Sequence, residues 1–159
     1  MAISQLIDTA TEYFEGTPWL GDSLMLKLNR IDFRVVNATF PNSQNSIARI
    51  VKHILNWRLF MIAKLEGDNL FDIEMNTDQD WTPITIKTEA EWNDLLHQLT
   101  ETQSRLLEIL QKQEKDSFLE NKTLGREYSL GYLINGVIQH DTYHSGQIGL
   151  LYAYLKNQN

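Results

Sequence analysis

The chain contains no cysteine, which removes disulfide frameworks, thiolate zinc sites and cysteine nucleophiles from consideration. Any metal ion it holds must be bound by imidazole, carboxylate or water. Basic residues are also few: 14 Lys and Arg against 21 Asp and Glu give a net charge of -7, the wrong sign for a surface that neutralises phosphates. No cluster of Lys or Arg stands out, so no nucleic-acid partner is expected. There is no apolar run of about 18 residues, and the N-terminus lacks a charged segment leading into an apolar one. Neither a membrane span nor a secretory leader is expected, and the want of cysteine fits a cytoplasmic protein. What is present is an ordinary globular composition, 42% hydrophobic and 22% charged, over 159 residues. That length predicts one domain, residues 1–159, able to bury a core without disulfides or a structural metal.

Apolar spacing divides the chain into helices. Ile3, Leu6, Ile7, Ala10, Tyr13 and Phe14 recur at helical intervals until Gly16-Thr-Pro18 stops them. Residues 17–46, with Pro18, Gly21 and Pro41 around Leu24 to Leu28, predict a short helix or an irregular buried crossover. A second long helix follows from about Asn45, carrying Ile47, Ile50, Val51, Ile54, Trp57, Met61 and Leu65 and ending at Gly67. The acidic stretch 67–87 is expected to be a long loop with a strand-like Ile84-Thr-Ile86. Thr88-Glu-Ala-Glu91 is a capping box opening a helix with Trp92, Leu95, Leu96, Leu99, Leu106 and Leu110 on one face. A last helix is expected from Ser129 to about Leu155, on which Leu133, Val137, His140, His144, Gln147, Leu151 and Tyr154 form a near-heptad seam. Four amphipathic helices with two long connections and one shorter one predict an all-α helical bundle.

Two histidines, His140 and His144, occupy that seam. Residues four apart stack on one helix face with Cβ atoms roughly 6 Å apart, so both rings can reach one ion. Burying an imidazole there is unfavourable unless its nitrogens find partners, and a metal satisfies two rings together. A single histidine on an apolar face is more often an ordinary core residue than a ligand; the pair shifts that balance. His53, at the margin of the second helix's apolar face, can supply a third nitrogen, whereas His97 falls off its helix's stripe and is assigned to the surface. Three histidines without a fourth protein ligand leave positions open, as in a catalytic site. Imidazole ligation suits zinc, nickel, copper or iron. The helical metalloprotease motif is absent. Gln147 is placed either on a ligand water or in the core, and Asp141 toward solvent, a neighbouring helix or an outer-layer role. Tyr143 is expected to be a buried aromatic with a bonded hydroxyl, and the tryptophans 19, 57, 81 and 92 to be core, with Trp57 near His53. Gly146 and Gly149, each costing a helix about 1 kcal/mol relative to alanine, suggest close helix approach or room for a ligand, close packing being the cheaper explanation.

The stretch Asn45-Ser-Ile-Ala-Arg-Ile-Val-Lys-His53-Ile-Leu-Asn-Trp57, with His140-Asp-Thr-Tyr-His144-Ser-Gly-Gln147-Ile, resembles the DinB-like superfamily of damage-inducible and bacillithiol-transferase-type proteins. The likeness runs over nearly the whole chain in helix order. It implies an up-down-down-up four-helix bundle, with His53, His140 and His144 binding a divalent metal, nickel or zinc foremost, at one end of the core. It further implies a homodimer and, from branches of the superfamily, a transferase using a low-molecular-weight thiol cosubstrate on a small-molecule substrate. No catalytic residue follows from it. Two other functions fit the same residues: a metal-dependent hydrolase, and a non-catalytic module stabilised by metal whose acidic loop contacts a partner.

Overall fold

A computed structural model describes residues 2–158. Five α-helices stand among the described residues: α1 (Ile3–Glu15), α2 (Leu24–Leu28), α3 (Ile47–Leu65), α4 (Glu89–Gln111) and α5 (Leu130–Lys156). The chain is all-α, with short 3₁₀ turns at Phe33–Val35 and Asp116–Glu120. The predicted crossover contains α2 and the first of these turns. No strand forms at residues 84–86. The Ile84-Thr-Ile86 alternation serves packing instead: Ile86 is buried, and Asn37 clamps its backbone by accepting from its N–H at 2.9 Å and donating to its carbonyl at 2.6 Å.

Side-chain caps fix the helix starts. Ser46, Thr88 and Ser129 each accept a backbone N–H three residues on, from Arg49, Glu91 and Tyr132. The capping box at α4 closes one residue early, since Glu91 Oε2 accepts from the N–H of Lys87, not Thr88. α3 ends as its glycine predicts. Gly67 takes φ +87, its N–H reaches the carbonyl of Lys64, and that of Asp68 reaches Ala63, the paired bonds of a Schellman motif.

Two apolar clusters set the helix directions. One joins Ile47 to Leu55 of α3, Trp92 to Leu99 of α4, Ile148 to Leu155 of α5 and Phe14 near the end of α1. The other joins Ile3 to Ala10 of α1, Phe60 to Ile62 of α3, Leu106 to Leu110 of α4 and Leu133 to Ile138 of α5. α3 and α4 therefore run together, and α1 and α5 run against them, giving the up-down-down-up order. Between the clusters lies a layer of buried polar groups: His53, Asn56 and Arg58 on α3, Thr102 and Gln103 on α4, and Asp141, His144 and Ser145 on α5. The functional residues are built into this middle layer, not at one end of the core.

Gly146 and Gly149 of α5 do not mark a close helix approach. A Cβ added at Gly146 meets nothing within 4 Å, and one at Gly149 only just reaches Lys27 Cε at 4.0 Å. Close approach occurs instead at Gly131, where a Cβ would stand 3.2 Å from the Leu119 side chain and carbonyl.

Candidate metal centre

α3 and α5 bring three imidazoles together across the bundle. His53 Nε2 lies 2.9 Å from His140 Nε2 and 3.1 Å from His144 Nε2. His97, by contrast, is exposed on α4, 3.5 Å from Glu101.

What holds the other ring nitrogen of each histidine decides the protonation state. His53 Nδ1 stands 3.0 Å from the carbonyl oxygen of Asp80 and 2.9 Å from its Oδ1. Both are acceptors, so Nδ1 carries the proton and Nε2 presents a bare lone pair. His144 Nδ1 donates in the same way to Gln147 Oε1 at 2.7 Å, while Gln147 Nε2 donates to Tyr143 Oη at 3.1 Å. Two lone pairs facing each other at 3.1 Å repel unless a cation sits among them. Three nitrogens bound to zinc at about 2.0–2.1 Å are separated by little more than this. Of the two buried carboxylates beside the rings, Asp141 is paired with Arg58 and Asp80 faces His53. The residues present therefore fit a divalent ion.

Burial acts on the same groups. Desolvation, then the neighbouring imidazoles, pushes His144 down from 6.5 to about 4, and desolvation likewise lowers His53 against the opposing pull of Asp80. Neutral rings are the ligand form, so the site is held ready for metal at neutral pH. For the metal-free protein the linkage has a definite sign. Between about 4 and 6.5 the unfolded chain binds more protons at His144 than the folded one, and His53 shifts in the same direction, so stability falls as pH falls through that window. Urea midpoints of the metal-free protein should decline steadily across it; a flat profile contradicts this account.

The loop 67–87 forms the roof. Trp81 lies flat on His53 with ring centroids 3.8 Å apart and planes 5° from parallel. Asp80 Oδ1 also accepts from Trp57 Nε1 at 2.8 Å, and Asp80 Oδ2 from the N–H of Asn76 at 2.9 Å, where the backbone turns through φ 63. Asn56 Nδ2 donates to Gln79 O and Thr82 Oγ1 at 2.9 Å each, tying the loop to α3. Trp57 stands 6.0 Å from His140, as a wall. The loop's inner face is thus committed to the site.

Other side chains fall differently from expectation. Trp19 is 99% exposed and is not core. Tyr143 is not buried either: its displacement from the seam turns it outward, where its ring flanks His144 at 4.9 Å. Gln147 holds His144 directly. Asp141 is buried against α3, where it pairs with Arg58. Access comes at His140, whose side chain is 24% exposed against 5% for His53.

An up-down-down-up helical bundle with three converging imidazoles defines a class of metal-site bundle proteins. Comparison with protein families places the chain within it: residues 24–148 match the family model of the DinB superfamily, and the chain belongs to that superfamily. The matched span contains all three histidines. Neither the curated proteins nor the solved structures yielded a match.

Proposed function

We propose that this protein is a metal-dependent enzyme in which His53, His140 and His144 hold one divalent ion, nickel or zinc, and that it transfers a small thiol to an electrophilic substrate. The observation that carries the reading is the convergence of three Nε2 atoms, at least two of them unprotonated, beside the one ring that reaches solvent. When bound, the ion lowers the pKa of a thiol or water and polarises a carbonyl. The chain's own residues do the rest. Asp80 and Gln147 fix the tautomers of two rings, Trp81 and Trp57 restrict water around them, and His140, the most exposed of the three, is the side from which a substrate can approach.

The thiol must come from a small molecule because the chain has no cysteine. The same arrangement suits hydrolysis, with water in place of the thiol. The non-catalytic reading uses the exposed Asp68, Asp72, Glu74 and Asp78 of the acidic loop for a partner, but it leaves the contacts of Asp80 and Trp81 with His53 without a role. As an enzyme of this kind the protein is expected to be a cytoplasmic homodimer.

The test is elemental analysis of untagged protein together with a conjugation assay using low-molecular-weight thiols and an electrophile. Wild type should carry one ion per chain and His144→Ala none, with conjugation lost and helical content retained. Metal-free wild type, or a conjugation rate indifferent to His144→Ala, refutes the proposal. Hydrolysis without conjugation would instead select the water reaction.

A further inference from the structure

His53 and His144 each have Nδ1 held by an oxygen, but His140 does not. His140 Nδ1 is buried without a partner, and so is Asp141 Oδ1, 3.7 Å away. Two orphaned polar atoms this close and of complementary kind are unusual in a packed interior, where buried polar groups are paired. The other carboxylate oxygen is engaged: Asp141 Oδ2 accepts from Arg58 Nε at 2.7 Å. Arg58 in turn donates to Gln103 Oε1 at 3.1 Å and stacks over Phe14 at 4.3 Å. The carboxylate is therefore clamped from behind, with one oxygen left pointing at the unpartnered imidazole nitrogen.

We propose that Asp141 is the positioning residue for His140, accepting the Nδ1 proton at Oδ1 so that Nε2 faces the ion, and that Arg58 holds the carboxylate in place for this role. The inference rests on the metal site proposed above. The 3.7 Å gap closes by small rotations of the ring and the carboxylate, and ligation of Nε2 supplies the reason to close it, because it fixes the proton on Nδ1. Each of the three rings then has one oxygen-bearing residue behind it: Asp80, Gln147 and Asp141. The outer oxygens are carried by a loop, by α5 one turn on, and by α5 next to the ligand, so the site draws its rigidity from elements on two sides.

A merely structural ion pair predicts something different. If Arg58 and Asp141 serve only the core, replacing both by apolar residues of similar size leaves metal binding untouched. The experiment compares zinc binding by wild type and Arg58→Met/Asp141→Leu, with thermal unfolding of both metal-free proteins. The expected result is zinc affinity about 10–100-fold weaker in the double variant with an unfolding midpoint close to wild type. ¹H–¹⁵N spectra of zinc-loaded wild type should show the His140 Nδ1 proton shifted downfield, as for an imidazole N–H bonded to a carboxylate; if the double variant does not fold this measurement decides the matter, and the want of that shift overturns the assignment. Zinc affinity within about twofold of wild type, or a proton on His140 Nε2, overturns the assignment. Wild type that binds no zinc overturns the metal-site reading with it, whereas equal zinc binding by both proteins overturns only the role of Asp141.

Discussion

Arg58→Met is expected to destabilise the metal-free protein by about 3–5 kcal/mol, the range found when one member of a buried ion pair is removed. The Arg58 and Asp141 side chains are 3% and 7% exposed, so water cannot take over the lost contacts. The substitution leaves the Asp141 carboxylate buried with neither oxygen hydrogen-bonded, removes the donor to Gln103 Oε1 and withdraws the cation from Phe14. For a chain of this length the loss corresponds to a fall in Tm of roughly 9–15 °C. Adding Asp141→Leu should recover most of it, because two apolar side chains then fill the space without a stranded charge. Denaturant unfolding of the four proteins in this cycle gives the coupling directly. An Arg58→Met protein that melts within about 2 °C of wild type would show that the pair is not anchored as described.

Asp80→Ala should act on metal and loop together. One carboxylate serves His53 Nδ1, Trp57 Nε1 and the N–H of Asn76, so its removal leaves the ligand ring with only the Asp80 carbonyl and frees a wall residue and a turn in one step. Loss of an oxygen behind a ligand histidine is expected to weaken metal binding by about 10–100-fold. Leaving buried donors without partners adds a cost of about 1–3 kcal/mol for each group that water does not reach. Limited proteolysis should show the loop cut faster. Asp78, exposed two residues earlier, provides the control. Asp78→Ala should change neither affinity nor cleavage, and equal behaviour of the two variants would remove Asp80 from the site.

The all-α class, the starts of α3, α4 and α5 and the pairing of His140 with His144 were legible in the sequence because each has a local cause. Ser46, Thr88 and Ser129 cap the helices they precede, and Gly67 closes α3 with the backbone conformation that favours glycine. His140 and His144 share a helix face by spacing alone, while the position of His53 opposite them came from family likeness. The partners behind the rings were not legible. Asp80 and Trp81 reach His53 across 27 and 28 residues of chain, and no periodicity relates a loop residue to a helix face. Arg58 and Gln103 look like ordinary polar residues on amphipathic helices; only packing of three helices shows that they are buried. Tyr143 and Trp19 failed for the opposite reason, since aromatic character suggests burial but does not impose it.

The polar layer between the two apolar clusters also fixes helix registry. In a bundle that is apolar throughout, sliding α5 by one turn, about 5.4 Å, exchanges one leucine contact for another at small cost. Here the same slip would carry Asp141 away from Arg58 and His144 away from His53, leaving charges and imidazoles facing hydrocarbon. Misaligned packings are thereby penalised far more than the correct one is stabilised. The side chains that gather the three imidazoles thus also select a single alignment of α3 with α5.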